Sequence, residues 1–187
     1  MHHKSNILLN WEIETIEYYF ANGLKYYSNL IKKDFSDDGK IIGEKEYVVG
    51  SFQYFRRSIF YELNAMIEQW LLYASSIDEE FFDNKNLKRT RAKSVQIIKE
   101  RYKIELSNIS EFENVEIIRR TVNSLKHRGG FDFTDFSKDI PEFKSVKDDI
   151  RHLETLKNSA IKFIKELIVA ILLIDKRKNT KHNNGYN

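Results

Sequence analysis

Residues 47–77 read YVVGSFQYFRRSIFYELNAMIEQWLLYASSI and carry the densest aromatic stripe of the chain. Large apolar side chains recur there every three or four residues, which places them on one face of an α-helix. These residues are Phe52, Phe55, Ile59, Leu63, Met66, Trp70 and Tyr73. We interpret this stripe as the core face of a helical bundle. A surface that stacks nucleic-acid bases is the alternative.

The same period recurs along most of the chain, and only seven glycines and one proline interrupt it. Few turn residues favour long helices over a sheet with many turns. We therefore predict an all-α bundle of about five helices. The predicted helices cover about residues 8–35, 47–77, 87–106, 111–127 and 146–176. They form a single domain over residues 1–176, followed by a disordered polar tail at 177–187.

Composition narrows the function classes. The 187 residues include 31 basic and 28 acidic side chains, so any contact with RNA must be local. The absence of cysteine excludes disulfides and thiolate–metal sites, and it fits a reducing cytoplasm. The longest apolar run, at 167–174, is far below the ~20 residues of a membrane span, and the N-terminal segment lacks the plan of a signal peptide. We expect a cytoplasmic protein without a membrane segment, metal or cofactor.

The segment of residues 119–130, RRTVNSLKHRGG, carries the main functional motif. Ser110 and Glu113 have the spacing of a capping box, which predicts that a helix begins near residue 111. At 3.6 residues per turn, a polar row forms along this helix, opposite its apolar stripe. The row comprises Glu116, Arg120, Asn123 and His127, and the stripe comprises Val115, Ile118, Val122 and Leu125. Two glycines then end the helix, so the histidine lies in its last turn.

An arginine, a spacer of six residues and a histidine, closing a helix of an all-helical protein, resemble the motif of the HEPN superfamily. The asparagine before the histidine and the KHRGG ending are similar to those of its prokaryotic toxin and phage-defence members. Arg120 matches the motif better than Arg119, which would need a spacer of seven. Gly129 stands where members regulated by a partner nucleotidyltransferase carry a tyrosine.

The resemblance implies a HEPN-like fold and a homodimeric endoribonuclease that cuts RNA without a metal. In that reading His127 transfers protons, Arg120 neutralises the transition state and Asn123 positions one of the reacting groups. Lys126, Arg128 and Arg119 are the candidate contacts to the RNA backbone. The resemblance also leaves room for a partner protein, either a cognate antitoxin or another component of a defence system.

Three alternatives remain open for this row. The first is an ordinary solvated helix face, stabilised by the i,i+4 pair of Glu116 and Arg120, which contributes ~0.2–0.5 kcal/mol. The second is a non-catalytic surface with which the dimer binds a nucleotide, RNA or a partner protein. The third is a structural or immunity-type dimer in which the row is a polar patch of the interface.

The charged residues outside this motif support less specific predictions. Arg56 and Arg57 either reach RNA phosphates or lie on a generic exposed face, and Glu62 is expected at the solvated edge of the aromatic stripe. His152 is expected at the surface. The strongest basic cluster either binds RNA or is solvated, and it comprises Lys85, Lys88, Arg89, Arg91 and Lys93. Residues 131–145 are interpreted as an ordered loop beside His127.

Overall fold

The computed structural model describes residues 2–31, 41–76, 90–127 and 146–183. Five α-helices occupy these ranges: α1 (His2–Ile31), α2 (Ile41–Ser75), α3 (Arg91–Tyr102), α4 (Phe112–His127) and α5 (Val146–Asn183). A short 3-10 helix, Leu106–Asn108, precedes α4. The described ranges contain no strand, so the predicted all-α class is confirmed.

The ends of the helices differ from the predicted ends by several residues. Helix α3 begins at Arg91 because the Thr90 hydroxyl caps it, accepting a hydrogen bond from the Lys93 amide at 3.3 Å. Lys103 ends it with a left-handed φ of 56°. Helix α5 continues to Asn183, whereas the sequence predicted a disordered tail from residue 177. Lysine and arginine have high helix propensity, so a run of charged residues does not by itself end a helix.

The chain groups into two compact units, and helices α2, α4 and α5 contribute to both. The first unit comprises Met1–Glu62 and Ser124–Thr155, and the second comprises Leu63–Asn123 and Leu156–Asn187. The predicted single domain over residues 1–176 stays a prediction.

Aromatic packing between α1 and α2 forms the core of the first unit. Phe55 is buried at its centre, with the rings of Tyr27, Tyr19 and Phe52 at centroid distances of 5.3, 5.9 and 6.3 Å. The Tyr27 hydroxyl donates to the Ser51 carbonyl at 2.9 Å, which satisfies its polar end. The stripe predicted as a core face is therefore a core face in this unit.

Gly23 on α1 provides a test of this packing. A Cβ atom at position 23 would overlap the far edge of the Phe55 ring and lie 3.0 Å from its Cδ2 atom. Because neighbouring rings hold Phe55, we expect Gly23→Ala to lower the free energy of unfolding by about 1–3 kcal/mol. Gly50→Ala is the matched control, since nothing lies within 4 Å of its added Cβ. It should stabilise the protein by roughly 0.5–1 kcal/mol, as expected for alanine in a helix. Urea unfolding measures both changes in the free energy of unfolding. Equal changes for the two variants would contradict this packing.

A polar network secures the start of α4 in the second unit. The Ser110 hydroxyl donates to Glu166 of α5 at 2.6 Å. Helix α4 begins at Phe112, so Glu111 precedes its first residue and Ser110 does not hold the predicted capping-box position. Glu111, which has a φ of 65°, instead accepts hydrogen bonds from Ser159 at 2.8 Å and Asn114 at 3.0 Å. Lys162 forms an ion pair with the same carboxylate at 3.0 Å. Helix α4 is thus attached to α5 through its first turn.

Candidate active site on helix α4

Helix α4 has the two faces that its sequence predicts. Val115, Ile118 and Val122 are buried in the second unit. On the opposite side, Arg120 and Asn123 are exposed. Leu125, buried, and Lys126, exposed, continue this division in the first unit. The apolar stripe is therefore buried, and Arg120 and Asn123 of the polar row face solvent.

Glu116, the first residue of the row, is held by two arginines. Arg91 of α3 donates to its Oε1 atom at 2.7 Å, and the Nε and Nη2 atoms of Arg119 each lie 2.8 Å from its Oε2 atom. Burial disfavours the charge on Glu116, but the two guanidinium groups outweigh that effect and lower the pKa of its carboxyl group. The carboxylate is consequently ionised and occupied on both oxygens.

The Glu116–Arg120 pair, which was expected to stabilise a solvated face, does not form. The Glu116 carboxylate pairs with Arg91 and Arg119. Among the described residues, the hydrogen bond of the Arg120 side chain is to the Glu116 backbone carbonyl, from Nε at 3.3 Å. Within the described ranges, no carboxylate pairs with the Arg120 guanidinium. The neighbouring arginines thus differ in their surroundings. Arg119 is half-buried and paired with Glu116, whereas Arg120 is exposed and has no counter-charge among the described residues.

His127 is the last residue of α4, so its backbone lies at the end of the helix where the carbonyl groups have no intrahelical partner. It lies seven residues after Arg120, about 10 Å along the helix axis, and Asn123 falls between the two. Its side chain lies outside the described part of the structure, as do Arg128 and the predicted loop at 131–145. The structure thus describes the side chains of Glu116, Arg120 and Asn123 in this row, and of His127 only the backbone.

The predictions for two other charged residues are wrong. Arg56 is buried, with its Nη1 atom 3.4 Å from the Asp149 carboxylate, so it lies neither on an exposed face nor within reach of RNA. His152 is half-buried. Two causes lower the pKa of its imidazole: burial is the larger, and the charge of Arg56 is the smaller. Glu62 is exposed, as expected. Sequence alone missed the pair because Asp149 lies far from Arg56 along the chain.

The predicted basic cluster is only partly described. Lys85, Lys88 and Arg89 lie outside the described ranges, and Lys93 is exposed. Arg91 is half-buried against Glu116 and supports α4. Sequence gave no signal for this role, because the ion pair joins residues 25 positions apart.

The described residues hold no group of three or more His, Asp or Glu side chains placed to bind a metal ion. Over the same ranges, no helix is long and apolar enough to cross a membrane. Comparison of the chain with family models, curated proteins and solved structures finds no match.

Proposed function

We propose that this protein is a metal-independent endoribonuclease of the HEPN type that acts as a toxin or phage-defence effector. One observation supports this proposal above the others: Arg120 is exposed and has no carboxylate partner among the described residues, on a polar row that ends at His127. A fork-shaped, always charged guanidinium suits a phosphate or the charge that develops on it during reaction.

In the proposed reaction, the 2′-oxygen of a ribose attacks the adjacent phosphorus atom. The bond between the 2′-oxygen and phosphorus forms, and the bond to the 5′-oxygen of the next nucleotide breaks. The proton of the 2′-hydroxyl passes to a basic group, and the departing 5′-oxygen receives a proton from an acidic group. The products are a 2′,3′-cyclic phosphate and a 5′-hydroxyl end.

Each residue of the row has a part in this reaction. His127 acts as the proton-transfer group, because an imidazole titrates near neutral pH. Arg120 stabilises the additional negative charge on the phosphate oxygens. Asn123 positions His127 or the phosphate, and Lys126 and Arg128 contact the RNA backbone. Arg119 remains a candidate for RNA contact only if it exchanges Glu116 for a phosphate.

The proposed enzyme is a homodimer, because one chain supplies one such histidine and the reaction needs both a base and an acid. A two-fold axis beside α4 would bring two polar rows together and provide both groups. Two copies of Arg120, each without a carboxylate partner among the described residues, would also suit an acidic antitoxin or defence-system partner that covers the site. Since the proposed substrate is cellular RNA, we place the reaction in the cytoplasm.

We expect the purified protein to cleave RNA in excess EDTA, to leave a 2′,3′-cyclic phosphate or its 3′-phosphate product, and to spare DNA of the same sequence. The matched control is an RNA oligonucleotide with a single 2′-deoxy substitution at the cleavage position, which removes the nucleophile and should abolish cutting there. End-group analysis by mass spectrometry measures this outcome.

Two results would contradict the proposal. Cleavage that requires added Mg²⁺ and leaves a 5′-phosphate would indicate a carboxylate–metal nuclease. Binding of RNA or a nucleotide without any turnover would favour the non-catalytic binding dimer.

A further inference from the structure

A second surface with features of an interface lies on α1, within the first unit. The described large apolar side chains of α1 divide between the core and the surface: Leu9, Ile13, Phe20 and Tyr27 are buried, whereas four aromatic residues are exposed. Tyr19, the least exposed of the four, packs on Phe55, and the other three are turned further outward. Trp11, Tyr18 and Tyr26 are 66%, 76% and 59% exposed. Their spacing of seven and eight residues places them along one side of the helix, about 22 Å from end to end. We call this side the α1 aromatic face.

The polar groups between these rings are already partly satisfied by the helix itself. The Thr15 hydroxyl donates to the Trp11 carbonyl at 2.8 Å, and the Asn22 amide donates to the Tyr18 carbonyl at 2.9 Å. A donor that is bonded within its own helix costs less to bury than one that must leave water. Tryptophan and tyrosine are also the residues that most often dominate the binding energy of protein interfaces. The α1 aromatic face is therefore inexpensive to desolvate and rich in groups that stabilise an interface.

The charges on this face indicate which partner it suits. Glu14 lies toward its N-terminal end and Lys25 toward its C-terminal end, and both are exposed. Between Trp11 and Tyr26, where the side chains of the face are described, one charge of each sign offers no net attraction for the phosphates of a nucleic acid. In a parallel pair of α1 helices, Glu14 would meet Glu14. In an antiparallel pair related by a two-fold axis near Tyr18, Glu14 of each copy lies within about 4.5 Å along the axis of Lys25 in the other.

We propose that the α1 aromatic face binds a second copy of this chain, with the two α1 helices antiparallel. The arrangement is isologous, so each contact occurs twice. Near the axis, Tyr18 packs against Tyr18 of the other copy. At each end, Trp11 packs beside Lys25 and Tyr26 of the other copy. This interface uses none of the residues of the proposed active site, and it does not depend on the RNA chemistry.

Charge reversal provides a sharp test of this pairing. Glu14→Lys puts two like charges near each other at both ends of the interface, and we expect it to raise the dissociation constant of the homo-oligomer by about 10- to 100-fold. Lys25→Glu should do the same. The double variant Glu14→Lys/Lys25→Glu restores opposite charges only if both partners are copies of this chain, so its association should return to the wild-type value. Sedimentation velocity over a concentration series measures all four proteins.

Truncation of a central ring tests the packing separately. Tyr18→Ala should weaken association at least about tenfold, as for the central residues of other interfaces. Leu173→Ala is the control, because Leu173 is 52% exposed on α5 and lies outside the α1 aromatic face. Circular dichroism confirms that each variant is folded. A monomeric wild type would overturn the inference, as would single charge variants that associate normally or a double variant that is not restored.

Discussion

His127→Ala and Arg120→Ala should each lower the rate of RNA cleavage by about 10²–10⁴-fold, while helical content and oligomeric state stay unchanged. Removal of a positioned proton-transfer group, or of a group that stabilises transition-state charge, costs this much in other enzymes. Single-turnover cleavage with enzyme in excess over RNA is the appropriate measurement, because it separates the chemical step from binding and product release.

The adjacent arginine supplies the matched control. Arg119 has the same side chain as Arg120 and lies one residue away, but its guanidinium is bound to Glu116 with two contacts of 2.8 Å. We therefore expect Arg119→Ala to lower the single-turnover rate by less than about tenfold, since its charge is already compensated. Equal losses of cleavage rate for the two arginine variants would contradict a catalytic role for Arg120 that Arg119 does not share. If the His127→Ala variant cleaves RNA at the wild-type rate, the histidine has no part in the mechanism.

Features that follow from neighbouring residues were predicted more accurately than features that depend on contacts between residues far apart in the chain. The two faces of α4 follow from a period of 3.6 residues, and the burial of Val115, Ile118 and Val122 agrees with that pattern. Helix ends were less accurate, because they depend on details such as the Thr90 cap and the left-handed Lys103. Periodicity does not carry that information.

The ion-pair partner of each charged side chain was the least predictable feature. Glu116 has Arg120 at the favourable i,i+4 spacing, so a local rule pairs the two. The observed partners are Arg119, three residues on, and Arg91, on another helix. A tertiary contact competes with the local one and decides which arginine lacks a carboxylate partner among the described residues. For the same reason, the sequence did not reveal that Arg56 is buried, because its charged neighbour, Asp149, belongs to α5.

The buried pair of Arg56 and Asp149 should be the most important ionic contact for the stability of the first unit. The side chains of both residues are only 6% exposed, and their closest atoms are 3.4 Å apart. Burial lowers the pKa of Arg56, and the nearby Asp149 charge opposes that shift. The carboxylate therefore compensates a charge that water cannot reach.

We expect Asp149→Ala to lower the free energy of unfolding by about 3–5 kcal/mol, because it leaves the buried guanidinium without its counter-charge. Glu154→Ala is the matched control: Glu154 lies on the same helix and is exposed, so its loss should change stability by no more than about 0.5 kcal/mol. Urea unfolding followed by circular dichroism measures both.

The double variant Arg56→Met/Asp149→Leu separates the cost of an unpaired charge from the value of the pair. Removing both ions together avoids burying either one alone, and apolar replacements of similar volume are often neutral or stabilising in such sites. The double variant should therefore be more stable than Asp149→Ala, even though it changes more atoms. If Asp149→Ala behaves like Glu154→Ala, the Arg56 guanidinium has access to water in solution and the pair is not buried. If the double variant is as unstable as Asp149→Ala, the loss comes from packing around Asp149 and not from an uncompensated charge.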